Sequence, residues 1–392
     1  MVPRSSIPDL SVSEETPICP CVVGGIRMIR SFKSPAAYVQ GRDALDQLGD
    51  RLEPVAESAL VLADADVLEI VGDRAEASLR DADVEPTLEE FNGEASEAEI
   101  DRLTGIARET GADAIVGAGG GKALDTAKAV RENAGGAMVS LPTIASTDAP
   151  TSALSVIYSD EGEFERYWFY EAHPDLVLVD TAIVAGAPAR FFRSGIADAM
   201  ATWFEADAVR RADGENFFGE GPTRAAHSLS RLCYDLLREH GRSAVRAVEQ
   251  GTVTESVEAV TEANTLLSGL GFENGGIAAA HSIHNGLTQL EAAHGATHGE
   301  KVNVGTIAQL VLEGRDDAFV DDVIEFSIAL GLPVTLEEVG VDDPSEDDLE
   351  RVARATVDEG ETIHNAFDAS VEEVRDALVA ADDLGARRRA DD

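Results

Sequence analysis

Between Ala36 and about Asp180, short apolar runs alternate with amphipathic stretches. ALVLADADV (59–67) is a leucine- and valine-rich run that ends in acids. ADAIVGAGGGKALDTAKAV (112–130) is an apolar run, then glycines, then helical periodicity, with the helix beginning near Ala123. AMVSLPTIAS (137–146) and DLVLVD (175–180) predict two further buried strands. Strands that alternate with helices in this way predict a parallel, Rossmann-like sheet with crossover helices. After Ala187 the pattern changes. SGIADAMATWFEADAVRRA, SLSRLCYDLLREHGRSAVRAVEQ and SVEEVRDALVAADDLGARRR repeat their apolar positions every 3.6 residues, without strand signals. The expectation is an α/β domain over residues 28–187 followed by an all-α domain over 188–392.

At 392 residues the chain is long enough for two cores, and 44% hydrophobic residues argue against disorder. Its charge is extreme, with 74 acidic against 31 basic side chains and a net of −43. Lysine is confined to Lys33, Lys122, Lys128 and Lys301. In molar salt the Debye length falls to about 3 Å, and such a surface no longer repels itself. The composition therefore reads as adaptation to a salt-rich cytoplasm, and it argues against binding to nucleic acid or anionic membranes. Cys19, Cys21 and Cys233 cannot build a disulfide framework, and no run approaches the ~18 apolar residues of a membrane span. Residues 1–27 lack a signal-peptide pattern and read as a disordered extension or a mis-assigned start upstream of Met28. A cytoplasmic protein is expected.

Two stretches suggest a nucleotide. Gly119, Gly120 and Gly121 stand between the strand ending near Val116 and the following helix, where bare backbone and free N–H donors suit a phosphate. The spacing is neither G-x-G-x-x-G nor a P-loop, so the turn alone is a weak signal. Asp64, at the end of an earlier strand, suits a ribose hydroxyl pair and would repel a 2′-phosphate. It is equally readable as a solvated strand-end carboxylate. SLPTIASTDAPTSALSVIY (140–158) carries no G-x-S-x-G elbow, so a serine hydrolase is not indicated. Its prolines predict a loop that displays Thr143, Ser146, Asp148 and Ser152.

Four of the eight histidines crowd into HSIHNGLTQLEAAHGATHGEK (281–301). His281 and His284 share a helix face, and His298 follows a break at His294-Gly295-Ala296. Asp198, inward-facing in an apolar helix, is costly to bury unless paired or ligating. Asp-His-His with open positions is a workable catalytic metal site, although capping and hydrogen-bonding histidines fit the spacing as well.

Taken together, VGAGGGKALDTAKAV, LPTIASTDAPTSALSVIYSDEGEF, VDTAIVAGAPARFFRSGIADAMATWFEA, GFENGGIAAAHSIHNGLTQL and HGEKV resemble the iron-containing (group III) alcohol dehydrogenase family, in its glycerol-oxidising branch. The resemblance runs from about Met28 to Arg387. It implies a dehydroquinate synthase-like fold in which a dinucleotide-binding α/β domain faces a helical metal- and substrate-binding domain. It implies a divalent metal, usually zinc, on Asp198, His281 and His298. NAD would meet Asp64 at its ribose and Gly120, Gly121 and Lys122 at its pyrophosphate. Asp125, Thr143, Ser146, Ser152, Leu154 and Tyr158 match further NAD contacts. Asp148 corresponds to a glycerol-bonding residue and Phe272 to an aromatic pocket wall. Gly295 and Ala296 stand where bulkier residues are common, which touches local packing only.

The activity so implied is reversible NAD-dependent oxidation of glycerol at C2 to dihydroxyacetone, with Lewis-acid help from the metal. His284 is a candidate proton relay, or alternatively a histidine that orients the ligands. A homo-oligomer is expected, and the family favours octamers. An enzyme of the same fold acting on glycerol 1-phosphate is the main rival. Its phosphate would want basic groups, yet Lys301 is the only lysine after residue 187. A lyase of the dehydroquinate-synthase type also shares the fold.

Overall fold

The computed structural model describes residues 29–160 and 162–391, so expectations for the first 27 residues, with Cys19 and Cys21, lie outside the described residues. The front half is built on a six-stranded parallel sheet. Its strands are β1 (Tyr38–Gly41), β2 (Ser58–Ala63), β3 (Glu85–Glu90), β4 (Ala114–Gly119), β5 (Ala137–Pro142) and, after a hairpin, β8 (Leu176–Asp180). The spatial order is β1-β8-β5-β4-β2-β3. The hairpin β6 (Leu154–Tyr158) and β7 (Phe164–Phe169) pairs antiparallel outside the sheet.

The central strands read as unbroken apolar runs because both faces are covered. Val61, Val116, Val139 and Leu178 pack on one side with Leu45, Leu48 and Leu79. Leu60, Leu62, Ile115 and Met138 pack on the other with Leu103 and Val130. The chain runs outward from β2 to β3, then returns to place β4 on the other side of β2. Strand order reverses between β2 and β4, and a crevice at the carboxyl ends of such a pair is where open α/β sheets take ligands. Asp64 follows the first of these strands, and Gly119 ends the second, ahead of Gly120 and Gly121.

From Ala189 onward the chain is helical: α1 (Ala189–Arg211), α2 (Arg224–Val248), α3 (Glu255–Glu262), α4 (Ser268–Gly275), α5 (Ala279–Leu287) and α6 (His298–Leu312) are followed by further helices to Asp391. One π-turn, Ala263–Leu267, joins α3 to α4. The expected absence of strands is broken once, where Gly221–Pro222 pairs in parallel with Arg30–Ser31. The halves share a core, since Val177 and Val179 of β8 cluster with Phe192, Ile196, Met200 and Phe204 of α1.

Gly195 lets α1 approach the loop after β5 closely. A Cβ there would lie 1.9 Å from the Ala145 carbonyl oxygen and 2.5 Å from Asn264 Nδ2. Both are fixed, since Asn264 Nδ2 donates to that same carbonyl at 2.9 Å. Gly195→Ala is therefore expected to cost about 1–3 kcal/mol from overpacking alone, read as a lowered thermal unfolding midpoint. An unchanged midpoint would show that the loop can retreat from α1.

Candidate metal and cofactor site

Asp198 lies on α1 with its side chain fully buried, and Glu205 follows two helical turns later on the same face. His281 projects from α5, and His298 opens α6. The start of α6 is fixed by a capping box between Thr297 and Glu300. The ligand atoms of Asp198, His281 and His298 all lie within 4.8 Å of one another. Asp198 Oδ1 is 3.2 Å from His281 Nε2 and 3.1 Å from His298 Nε2.

Glu205 completes the arrangement. Its Oε2 is 2.6 Å from His281 Nδ1, and its Oε1 accepts the backbone N–H groups of Ala278 (2.9 Å) and His281 (3.0 Å). A carboxylate on Nδ1 turns Nε2, with its lone pair, toward the point shared with Asp198 and His298. Burial would raise the Asp198 carboxyl, but His298 and His281 outweigh it and hold it below the usual carboxylate range. Burial lowers the His281 imidazole, but Glu205 and Asp198 outweigh that too and raise it well above its ordinary value. The His281 imidazole is thus biased toward its charged form between two buried carboxylates. Oxygen and nitrogen donors, with a carboxylate behind one imidazole, fit a divalent cation such as zinc, iron or manganese.

Asp148 approaches the same point. Its N–H donates to Asp198 Oδ2 at 3.3 Å, while its own Oδ2 is buried with no hydrogen-bond partner among the described residues. Burial, then the Asp198 charge, pushes its carboxyl well up. Phe272 borders the site, with its ring centroid 6.1 Å from that of His281 and 4.5 Å from that of Phe217. It clusters with Leu154 and Ile277 in a small apolar wall. His284 is half-buried, with its ring centroid 4.2 Å from that of His298. Burial, then the neighbouring His298, Lys301 and His281, lowers its basicity well below the ordinary imidazole value. His294 turns away, its Nε2 lying 2.9 Å from the Thr288 carbonyl oxygen.

On the sheet side, the helix after β4 begins at Gly121, two residues earlier than expected, and its N-cap Gly120 offers no side-chain hydrogen bond. By contrast, the helices Ala65–Asp81 and Glu97–Thr110 are capped by Asp64 and Ser96. The free N–H groups at Gly121 suit a phosphate. Asp64 spends Oδ1 on Val67 N–H at 2.9 Å and keeps its other oxygen beside the crevice. Lys122 sends its amine to Glu94 (2.6 Å) and over the Tyr158 ring (5.1 Å), which leaves its backbone N–H for a ligand. Asp125 is buried, paired with Lys128 at 2.8 Å, and accepts Val156 N–H at 3.0 Å. Lys128 also donates to Ser152 Oγ and the Leu154 carbonyl, so these residues pin β6 to the helix. Thr143 and Ser146 are buried in the loop between β5 and β6, and Thr143 N–H donates to the Gly119 carbonyl at 3.1 Å. The strand predicted over 137–146 ends at Pro142, so the loop runs over residues 143–153 before β6 begins.

Residues 35–181 match the model of the iron-containing alcohol dehydrogenase family. The chain is 61% identical to a glycolaldehyde reductase of Halobacterium salinarum, over 92% of this chain and all of that protein. It is 49% identical to a glycerol dehydrogenase of Escherichia coli, over 92% of this chain and 98% of that one. A crystal structure of glycerol dehydrogenase from Schizosaccharomyces pombe superposes with a TM-score of 0.89 at 39% identity, covering 93% of each chain.

The chain belongs to the iron-containing alcohol dehydrogenase family. It is an oxidoreductase.

Two residues of this family member escaped sequence reasoning. Glu205 was hidden among 74 acids, although its seven-residue spacing from Asp198 on an apolar helix was a usable signal. Asn264 sits in the π-turn and ties Ala145 and Phe192 together, and no sequence pattern marks a π-turn in advance.

Proposed function

We propose that this chain is a metal- and NAD-dependent dehydrogenase of small neutral vicinal diols, interconverting glycerol and dihydroxyacetone. The observation that carries the reading is the convergence of Asp198, His281 and His298 beside the unpartnered oxygen of Asp148. When bound, the ion supplies Lewis acidity toward a diol oxygen, and the nicotinamide accepts hydride from carbon.

The chain's own residues supply the rest. Asp148 Oδ2 receives a substrate hydroxyl, which relieves a buried, unpartnered acceptor. Phe272, Leu154 and Ile277 keep bulk water from one side of the reacting carbon. His284 takes the hydroxyl proton and passes it outward. Gly120 and Gly121 seat the pyrophosphate, and Asp64 favours NAD over its 2′-phosphorylated form.

A phosphorylated substrate fits poorly. Lys301 Nζ, the only lysine nitrogen of the helical half, donates to the Ala296 carbonyl at 3.0 Å, and Lys128 is fully engaged. The likeness to a glycolaldehyde reductase favours a second reading, reduction of that two-carbon hydroxyaldehyde at the same site. It shares the adjacent oxygens that the site would grip.

In molar KCl, glycerol with NAD should give net NADH, and glycolaldehyde with NADH should consume it. Both should outrun glycerol 1-phosphate and NADP by at least about tenfold in kcat/KM. Chelation should abolish turnover and a divalent metal should restore it. Preference for the phosphate, or full activity after the metal is stripped, would overturn the assignment. Among the described residues no helix is long and apolar enough to cross a membrane.

A further inference from the structure

From His284 a polar chain leads to groups that the reading above leaves unused. His284 Nδ1 is 3.1 Å from Asn285 Oδ1. The amide nitrogen of Asn285 faces Glu361, 3.2 Å from Oε1 and 3.1 Å from Oε2, and donates to Tyr167 Oη of β7 at 3.4 Å. Three separate parts of the chain meet here: α5, the hairpin, and the segment before the 3-10 turn Thr362–Asn365.

The chemistry of these groups fixes every direction. Burial raises the Glu361 carboxyl, and in its ionised form, with both oxygens at one atom of the Asn285 amide, it only accepts. That atom must be the NH2 nitrogen, since a carbonyl oxygen there would face two like partial charges. The amide oxygen is then turned to His284, and because it only accepts, Nδ1 of His284 must carry the proton. A neutral imidazole protonated at Nδ1 has its lone pair on Nε2. Glu361 is itself held in place by hydrogen bonds from Ser282 and the Thr362 N–H.

We propose that Glu361 and Asn285 are positioning residues that lock His284 in its Nδ1–H tautomer, so that Nε2 is the open proton acceptor beside the metal centre. The proposal rests on the reading of His284 as that acceptor. Neither residue touches substrate. Glu361 acts through the amide, and the amide acts through the ring. The logic is that of a buried acid orienting a catalytic imidazole, lengthened by one amide.

Glu361→Gln tests it with almost no change of volume. An amide at 361 can donate as well as accept, which lets Asn285 flip and present its NH2 to His284. Nδ1 then accepts, the proton moves to Nε2, and the acceptor is lost. With the metal-loaded enzyme in molar KCl and glycerol plus NAD, Glu361→Gln should lower kcat about tenfold, leaving both KM values and metal content within about twofold. Asn285→Ala should behave alike.

His284→Ala should lower kcat by about a hundredfold, within the usual range for losing an acid–base group. The double variant, His284→Ala with Glu361→Gln, should be no slower than His284→Ala alone, which a merely structural role would not produce. A Glu361→Gln enzyme with unchanged kcat, or one whose loss multiplies with that of His284→Ala, would overturn the positioning role while leaving His284 in place. A fully active His284→Ala enzyme would remove the acceptor reading and the proposal with it.

Discussion

Asp198→Asn should fold, retain less than about a tenth of the metal per subunit, and lose at least about a thousandfold in kcat/KM. The side chain hardly changes size, so packing around α1 survives. What disappears is the one anionic oxygen that both imidazoles approach, at 3.2 and 3.1 Å. An amide oxygen is a far weaker ligand for a divalent cation, and its nitrogen cannot ligate at all. Lewis-acid assistance amounts to several kcal/mol of transition-state stabilisation, and about 4 kcal/mol corresponds to the thousandfold loss. Metal analysis of the purified variant, set beside NADH formation from glycerol, checks both halves of the claim. A metal-loaded and active Asp198→Asn enzyme would show that the cation is held elsewhere.

The second large effect is expected at Glu205, which stands behind His281 on its Nδ1 side. In Glu205→Gln the amide oxygen must serve the Ala278 and His281 N–H groups, and the NH2 then confronts His281 Nδ1. That nitrogen has to accept, so the ring proton shifts to Nε2, the atom proposed to ligate. Metal affinity should fall about 10–100-fold, as is usual when the partner of a ligating histidine is lost. Competition against a chromophoric chelator would measure it, and unchanged affinity would mean that Glu205 only braces α5. If the amide oxygen instead stays on Nδ1, two buried N–H donors lose their acceptor at a cost of about 1–3 kcal/mol. Either way the variant is impaired, and the unfolding midpoint tells the two routes apart.

How much of this could be read from the chain alone follows from burial. β2, β4, β5 and β8 were legible because both of their faces are covered, which writes them as unbroken apolar runs. The edge strands β1 (YVQG) and β3 (EPTLEE) carry no such run, since nearly all of their residues stay at least partly exposed. Strand β6 hid at the end of a segment rich in hydroxyls, and it is tied to the helix after β4 through Lys128 and Asp125. Asp198 was legible as an acid on an apolar helix face, and His281 with His298 by their crowding. The convergence of these three was not legible. It depends on the crossing of α1, α5 and α6, which Gly299 and Gly305 permit by close approach to the Ser194 and Ala280 carbonyls.

The treatment of lysine has a practical outcome. Lys128 and Lys301 are sealed inside with their nitrogens committed to carbonyl oxygens, so among the described residues only Lys33 and Lys122 offer an amine to solvent. An acylating reagent would therefore mark the molecule at very few points, one of them at the strand-to-helix turn where a dinucleotide would shield it. Coupling through amines to a sensor chip or resin would likewise hold these molecules in a handful of orientations rather than at random.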